Sequence, residues 1–211
     1  MIEIENDSKN TELASKLRTE LSKHSQDIMD FFGLKEVTGF KIKIWNDLDA
    51  YRLDLETHLG ERNYQEWMIA HTYGGNINML GFELVKQLKS HADDTEKDFL
   101  ETICHEFVHI CHDRSTSIPA GHNGWFWEML ATNLGNPSNF DGWTPPDFSK
   151  FTIEDLKFRF DEINGYPLVF YMGQFVLSKY TNEQILDWVK SPDKLDEVSA
   201  ELYQQTIAHY S

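Results

Sequence analysis

The sequence predicts an α+β fold, with a mixed sheet and helices in the N-terminal half and helices alone in the remainder. The segment KIKIW, residues 41–45, alternates apolar and polar side chains with a period of two, which is typical of a half-buried strand. Beyond about residue 113 every further segment shows helical spacing or helix-capping residues. We expect one domain over residues 1–211, made of a mixed lobe (1–112) and a helical lobe (113–211).

The N-terminal half is predicted to begin with a helix, because apolar residues recur at helical spacings over residues 11–32. A strand is then expected over residues 40–45. Two more are expected at Trp67–His71 and at Ile77–Leu80, and the second of these follows the turn residues Gly74-Gly75-Asn76. These strands supply the mixed sheet of the first lobe.

Capping residues mark helix starts in the rest of the chain. Pairs that resemble capping boxes occur at Thr95/Asp98, Thr152/Asp155 and Thr181/Gln184. Pro192 fits the first position of a last helix, because proline lacks the amide hydrogen that this position leaves unpaired. The apolar segment WFWEMLA, residues 125–131, is predicted to be a helix that Gly135 stops.

Charge and cysteine content limit the partners and the compartment. The chain has 35 acidic and 19 basic residues and a formal net charge of -16, which opposes binding to nucleic acids and to anionic membranes. The N-terminal residues do not resemble a signal peptide and no apolar run is long enough to span a bilayer, so we expect a cytoplasmic protein. Cys104 and Cys111 are seven residues apart on one helix, about 10 Å in rise, and should not pair.

A metal-binding motif lies on the helix that Thr95 opens. Residues 105–109 read HEFVH, and two histidines four residues apart share one helix face, so both rings can bind a single ion. Glu106 lies about 100° round the helix from His105, where it can reach a water without binding the ion itself. The alternative is a helix that carries histidines by chance, each needing another hydrogen-bond partner if buried. His112, one turn further on, is expected to cap the last carbonyls of the helix.

Two residues downstream are candidates for the third metal ligand that a catalytic zinc site requires. Glu128 follows His109 after 18 intervening residues and lies in the predicted helix at 125–131. His122 follows His109 after 12 intervening residues. The residues themselves leave both candidates open, because either one could reach the metal from the next helix.

The motif and its surroundings resemble the gluzincin clan of zinc peptidases, in particular the small peptidase-MA-like members related to aminopeptidases. In that family HExxH is followed after about 18 residues by W-L-x-E-G-x-A, and WFWEMLA keeps its tryptophan, glutamate and alanine but has Met129 in place of glycine. GGNIN, residues 74–78, is similar in part to the family's G-x-M-x-N segment. YMGQFVLSKY, residues 171–180, is similar to the family's Y-x-x-G-x-x-F-V-x-Y-L helix. The resemblance covers roughly residues 30–190.

The resemblance implies a zincin-like fold and a zinc-dependent peptidase acting on a peptide or protein. His105, His109 and Glu128 would bind Zn²⁺, Glu106 would be the general base, and an edge strand would pair with the substrate backbone. The family often has an oxyanion-stabilising tyrosine three residues before the helix glycine, but Phe170 occupies that position here. Tyr171 is our expected substitute, and Tyr166 at the start of the helix is the alternative.

Two other interpretations remain. The His122 spacing resembles that of SprT-like, or Spartan, metalloproteases, in which a histidine at the start of the next helix completes the site. The long helical C-terminal half, the absence of a four-cysteine zinc ribbon and the acidity of the chain count against this family. The chain could also be a non-catalytic zinc-binding regulator, although a purely structural site has no need of the base Glu106.

Overall fold

The protein has an α+β fold in a computed structural model that describes residues 3–5, 10–59, 64–116, 118, 123–135, 137–140 and 142–211. The strands are β1 (Glu3–Glu5), β2 (Lys41–Trp45), β3 (Ala70–Tyr73) and β4 (Asn76–Leu80). The α-helices are α1 (Thr11–Phe31), α2 (Leu48–Leu59), α3 (Phe82–Val85), α4 (Glu96–Ser115), α5 (Gly124–Leu134), α6 (Ile153–Phe158), α7 (Tyr166–Lys179), α8 (Asn182–Lys190) and α9 (Pro192–Tyr210). Short 3-10 turns join several of them. No helix within these residues is long and apolar enough to span a membrane.

The strands form one mixed sheet in the order β1-β2-β4-β3. β2 runs parallel to both of its neighbours, and β3 is antiparallel to β4. Ile42 and Ile44 are buried while the lysines between and before them are exposed or half-buried, so the predicted alternation of β2 is confirmed. β3 forms one edge of the sheet, and within the described residues no strand pairs with its outer side.

Helices cover both faces of the sheet. On β3 the neighbouring residues His71 and Thr72 point to opposite sides, as alternate strand residues do. His71 lies 3.3 Å from the Tyr51 hydroxyl on α2, whereas Thr72 bonds to Glu106 on α4. α1 packs alongside α4, so α4 is enclosed between the sheet, α1 and α5. The motif helix is therefore the central helix of the fold.

Local capping explains where several helices begin. At Thr95 the hydroxyl accepts from the Asp98 amide, and the Asp98 carboxylate accepts from the Thr95 amide, so both predicted halves of this capping box are present. The boxes at Thr152 and Thr181 are present as well, and Pro192 occupies the first position of α9. These predictions are confirmed. Cys104 and Cys111 are free and buried, also as expected.

Several elements of the first half differ from the predictions, and β1 and α3 were not predicted. β3 lies at Ala70–Tyr73 rather than at Trp67–His71, because the pairing with β4 continues up to the Gly74-Gly75 turn. α2 was not predicted at all. Only a narrow stripe of α2 is fully buried, including Tyr51 and Leu55, so its sequence shows little helical periodicity.

Gly135 allows α4 and α5 to approach closely. A Cβ atom at this position would lie 2.5 Å from both the backbone nitrogen and the Cα of His105. Because this contact is with backbone, neither helix can relieve it by a side-chain rotation. The close approach therefore sets how near the residues of α5 come to the histidines of α4.

We expect Gly135→Ala to destabilise the fold by about 1–3 kcal/mol, because overpacking at a backbone contact forces the two helices apart. Gly124→Ala is the matched control, since nothing lies within 4 Å of a Cβ at the opposite end of the same helix. Denaturant unfolding of both variants and the wild type measures the difference. Equal unfolding free energies for the two variants would show that the helix contact at Gly135 is not constrained.

Candidate metal centre

Three side chains from two helices meet beside this helix contact. His105 and His109 lie one turn apart on α4, and Glu128 lies on α5. The two Nε2 atoms of His105 and His109 are 3.2 Å apart. Glu128 Oε2 is 3.2 Å from His105 Nε2, and Glu128 Oε1 is 3.5 Å from His109 Nε2. Among the described residues, these three form the one group of ligand-type side chains that are close enough to share a metal ion.

The spacing and chemistry of these atoms fit a zinc ion. Atoms bound tetrahedrally to one zinc at about 2.0–2.1 Å lie about 3.3–3.4 Å from one another. The two Nε2 atoms are 3.2 Å apart, and each has one Glu128 oxygen, a different one in each case, at 3.2 or 3.5 Å. Glu128 Oε2 is also buried and has no hydrogen-bond donor aligned with it among the described residues. A buried acceptor without a donor is unfavourable, and a bound cation would satisfy it. Two imidazoles and one carboxylate are a usual ligand set for catalytic zinc.

Electrostatics keeps these side chains in forms that bind metal. Burial acts to raise the pKa of Glu128, but His109, His105 and the Tyr166 hydroxyl outweigh burial and lower that pKa to about 2. Burial lowers the pKa of His109 to about 4, although Glu128 acts in the opposite direction. At neutral pH Glu128 is therefore ionised and His109 is neutral, as metal coordination requires.

Glu106 lies beside the cluster and is held by the sheet. Only 5% of its surface is exposed, and the Thr72 hydroxyl of β3 donates a 2.8 Å hydrogen bond to Glu106 Oε2. Burial raises the pKa of Glu106 to about 7, although His105 and the Thr72 hydrogen bond act to lower it. The carboxylate is thus positioned next to the ligands, with one oxygen fixed by Thr72.

A cleft of about 780 Å³ opens onto the three ligands and Glu106. The edge strand β3 lines this cleft, and so do residues 156–162 and Tyr166. Three of the large apolar side chains that are exposed among the described residues line this cleft: Trp67, Tyr73 and Phe158. The cluster is therefore accessible to a ligand of considerable size.

The free edge of β3 carries backbone groups that face the cleft side. The Leu80 amide donates to the Ile69 carbonyl, so residues 69 and 80 form a hydrogen-bonded pair. In an antiparallel ladder the next residue along the strand turns its amide and carbonyl away from the partner. Ala70 and Thr72 consequently direct their backbone groups towards the unpaired edge, where an extended chain could form hydrogen bonds with them.

Comparisons with other proteins do not decide what this cluster does. The chain matches no protein-family model, no curated protein and no solved structure. Its chemistry must therefore be inferred from its own residues.

The two tyrosines considered from the sequence occupy different places on α7. The Tyr166 hydroxyl lies close enough to the Glu128 carboxylate to lower its pKa, and Tyr166 lines the cleft. Burial and the nearby carboxylates, Glu128 foremost, raise the pKa of Tyr166 well above its usual value, so it keeps its proton. The Tyr171 hydroxyl instead donates to the Trp143 carbonyl, and Tyr171 is not among the residues that line the cleft.

The sequence analysis also made predictions for His122 and His112. His122, the alternative third ligand, lies outside the described residues. His112 was expected to cap the end of α4, and that expectation is wrong. Its ring is fully buried, stacks on Trp127 at a centroid distance of 4.1 Å, and has no hydrogen-bond partner within the described part of the chain. Three residues beyond His109, the side chain points inward to α5 rather than along the helix axis.

Thr72 is the residue of this site that the sequence did not reveal. It lies 34 residues before Glu106, and no local spacing connects the two. The only available signal was the Gly74-Gly75 turn, which indicates that a strand ends at this point but not which helix it faces. The contact depends on the packing of β3 against α4.

Proposed function

We propose that this protein is a zinc-dependent peptidase with a zincin-like arrangement, in which His105, His109 and Glu128 bind the metal and Glu106 is the general base. One observation carries the proposal. The side chains of His105, His109 and Glu128 meet at a cleft, and beside them lies the buried carboxylate of Glu106, which is not one of the group. A structural zinc site is usually closed by four protein ligands, whereas a catalytic site has three and an open position.

Zinc held by these residues would polarise a peptide carbonyl and lower the pKa of a water molecule into the neutral range. Glu106 would accept a proton from the attacking water as the water oxygen bonds to the carbonyl carbon. It would then deliver that proton to the peptide nitrogen as the carbon–nitrogen bond breaks. Thr72 would keep the Glu106 carboxylate in position, because its hydroxyl donates to one carboxylate oxygen and leaves the other available.

We assign oxyanion stabilisation to Tyr166 rather than to Tyr171. The Tyr166 hydroxyl keeps its proton and lies at the ligand cluster, so it can donate a hydrogen bond to a carbonyl oxygen on which negative charge develops. The Tyr171 hydroxyl already donates to the Trp143 carbonyl. This assignment keeps the role expected from the sequence and moves it to the other candidate.

An extended peptide suits the cleft better than a compact metabolite. The outward-facing backbone groups of Ala70 and Thr72 can pair with a peptide strand, which is a general mode of peptide recognition. The exposed aromatic rings of Trp67, Tyr73 and Phe158 line the same cleft and can pack against peptide side chains. These features support a peptide or protein as the substrate.

The test is zinc-dependent cleavage. We expect chelator-treated protein to leave a denatured protein mixture intact, and one equivalent of zinc to restore cleavage at defined peptide bonds. Magnesium is the control metal, because it prefers oxygen ligands and should not restore activity at a site with two histidines. Mass spectrometry of the digest identifies the cut bonds. Zinc binding without any cleavage would contradict the peptidase assignment and favour a zinc-binding regulator.

A further inference from the structure

A second pocket of about 510 Å³ opens beside the three candidate metal ligands. It shares eight lining residues with the main cleft, among them Glu106, Asp161 and Tyr166, and it extends from them towards Thr102 on α4 and Asn139 in the 3-10 turn after α5. Its position next to the general base means that a side chain adjoining a bound peptide bond could enter it. The chemistry of its walls then decides which side chain it accepts.

The carboxylates that line this pocket are Glu106, which is buried, and Asp161, which is exposed. No lysine or arginine is found among the described residues that line it, whereas Asp161 does line it. Arg159, the arginine nearest in sequence, is already paired, because its Nη1 lies 2.9 Å from Asp155 and its Nε lies 2.9 Å from Glu162. Lys157 is likewise paired, with Asp196 at 3.1 Å. The Asp161 carboxylate has no ion-pair partner within the described parts of the chain.

The hydrogen-bonding groups also favour a donor as the occupant. Asn139 Oδ1 is buried and accepts no hydrogen bond from any described residue, so a donor that reached it after a rotation of the Asn139 side chain would satisfy it. His91, which also lines the pocket, has both ring nitrogens engaged. Its Nδ1 is 2.6 Å from Asp94 Oδ2, and its Nε2 is 3.3 Å from the Trp67 carbonyl oxygen.

Apolar side chains line the approach to these acceptors. Met68 and Phe160 both line the pocket, and Phe160 is held against the chain at Gly165. A Cβ atom at Gly165 would lie 2.5 Å from the Phe160 ring, and the Gly165 amide donates to the Phe160 carbonyl at 2.9 Å. The wall is therefore packed and ordered. It can cover the methylene groups of a long side chain whose charged end reaches the acceptors.

We propose that this pocket selects a substrate with a lysine or arginine next to the cleaved bond. The proposal rests on the proposed peptidase function and deepens it by naming the substrate class. A glutamate or aspartate would face Asp161 with like charge in a protein of net charge -16. A leucine would fill the apolar approach but leave Asn139 Oδ1 without a donor.

The experiment uses four peptides of one host sequence that differ at a single central position: Lys, Arg, Leu or Glu. Binding to the zinc-loaded Glu106→Gln protein is measured by calorimetry, so that no peptide is consumed. We expect the Lys and Arg peptides to bind about tenfold more tightly than the others, as one charge-assisted hydrogen bond allows. Equal affinities, or a preference for Leu or Glu, would overturn the proposal.

Substitutions then test whether Asp161 and Asn139 cause the preference for Lys and Arg peptides. Asp161→Asn should weaken binding of the Lys and Arg peptides about three- to tenfold, with little change for the Leu peptide. Asp161→Lys should reverse the preference towards the Glu peptide. Asp193→Asn is the matched control, because it removes one exposed negative charge at the start of α9, outside both pockets.

Asn139→Leu, checked for folding by thermal melting, should also reduce the preference for a cation. A loss that is the same for all four peptides would argue against selection by this pocket.

Digestion of the same four peptides by the wild-type protein separates this proposal from the proposed function. Cleavage of all peptides at one rate would overturn the selection of basic residues and leave the peptidase assignment intact. Selective binding of Lys and Arg peptides without cleavage of any peptide would support the pocket and contradict the peptidase assignment. Selective binding together with selective cleavage would support both.

Discussion

Glu106→Gln is expected to bind zinc as tightly as the wild type and to hydrolyse peptides about 10²- to 10⁴-fold more slowly, the usual contribution of a general base. Glutamine has the shape of glutamate, and its amide oxygen can still accept the hydrogen bond from the Thr72 hydroxyl. It cannot take up the proton of the attacking water. Because Glu106 lies outside the group of candidate ligands, its replacement should remove the proposed base and leave the metal ligands in place.

Metal analysis and steady-state kinetics on the same preparations measure the two quantities separately. Glu101→Gln is the matched control, because Glu101 is a second buried glutamate on α4 whose partners are Ser138 and Lys97 rather than the metal cluster. It should keep both zinc and activity. Undiminished hydrolysis by Glu106→Gln would remove Glu106 from the mechanism, and loss of zinc would make it a ligand instead of a base.

Local signals allowed much of the fold to be predicted. The three capping boxes and the helix that carries the motif depend on residues within one turn of each other, so short-range spacing was sufficient. β1 and α2 were missed for a physical reason. β1 is only three residues long and is held by parallel pairing with β2, while α2 buries only a narrow stripe. Their formation depends on distant parts of the chain.

The positions of the candidate ligands could be predicted only where they depend on spacing within one helix. The spacing of His105 and His109 placed both on one helix face, because four residues make about one turn. The approach of Glu128 could not be read from its 18-residue separation, since it depends on the helix contact that Gly135 permits. The rotation of α7 about its own axis could not be predicted from the sequence either. Sequence spacing alone could not decide whether Tyr166 or Tyr171 turns its hydroxyl towards the three candidate metal ligands.

Glu128→Ala is the second substitution with a large expected effect. Removing one of three protein ligands should weaken zinc binding by at least about 100-fold, more than is usual for loss of a residue that only supports a ligand. A zinc concentration of 100 times the dissociation constant stabilises the folded protein by about 2.7 kcal/mol, and the variant should lose most of that stabilisation. Competition with a chromogenic chelator measures the affinity, and thermal melting with and without zinc measures the stabilisation.

His122→Ala is the decisive comparison, because the two candidate third ligands imply different families. Glu128 has one carboxylate oxygen 3.2 Å from His105 Nε2 and the other 3.5 Å from His109 Nε2. We expect a carboxylate so placed to bind the metal whether or not a further side chain does, so His122→Ala should keep tight zinc binding. If instead His122→Ala loses zinc and Glu128→Ala retains it, the third ligand is the histidine. The gluzincin resemblance would then give way to the SprT-like one, while His105, His109 and Glu106 would keep their roles.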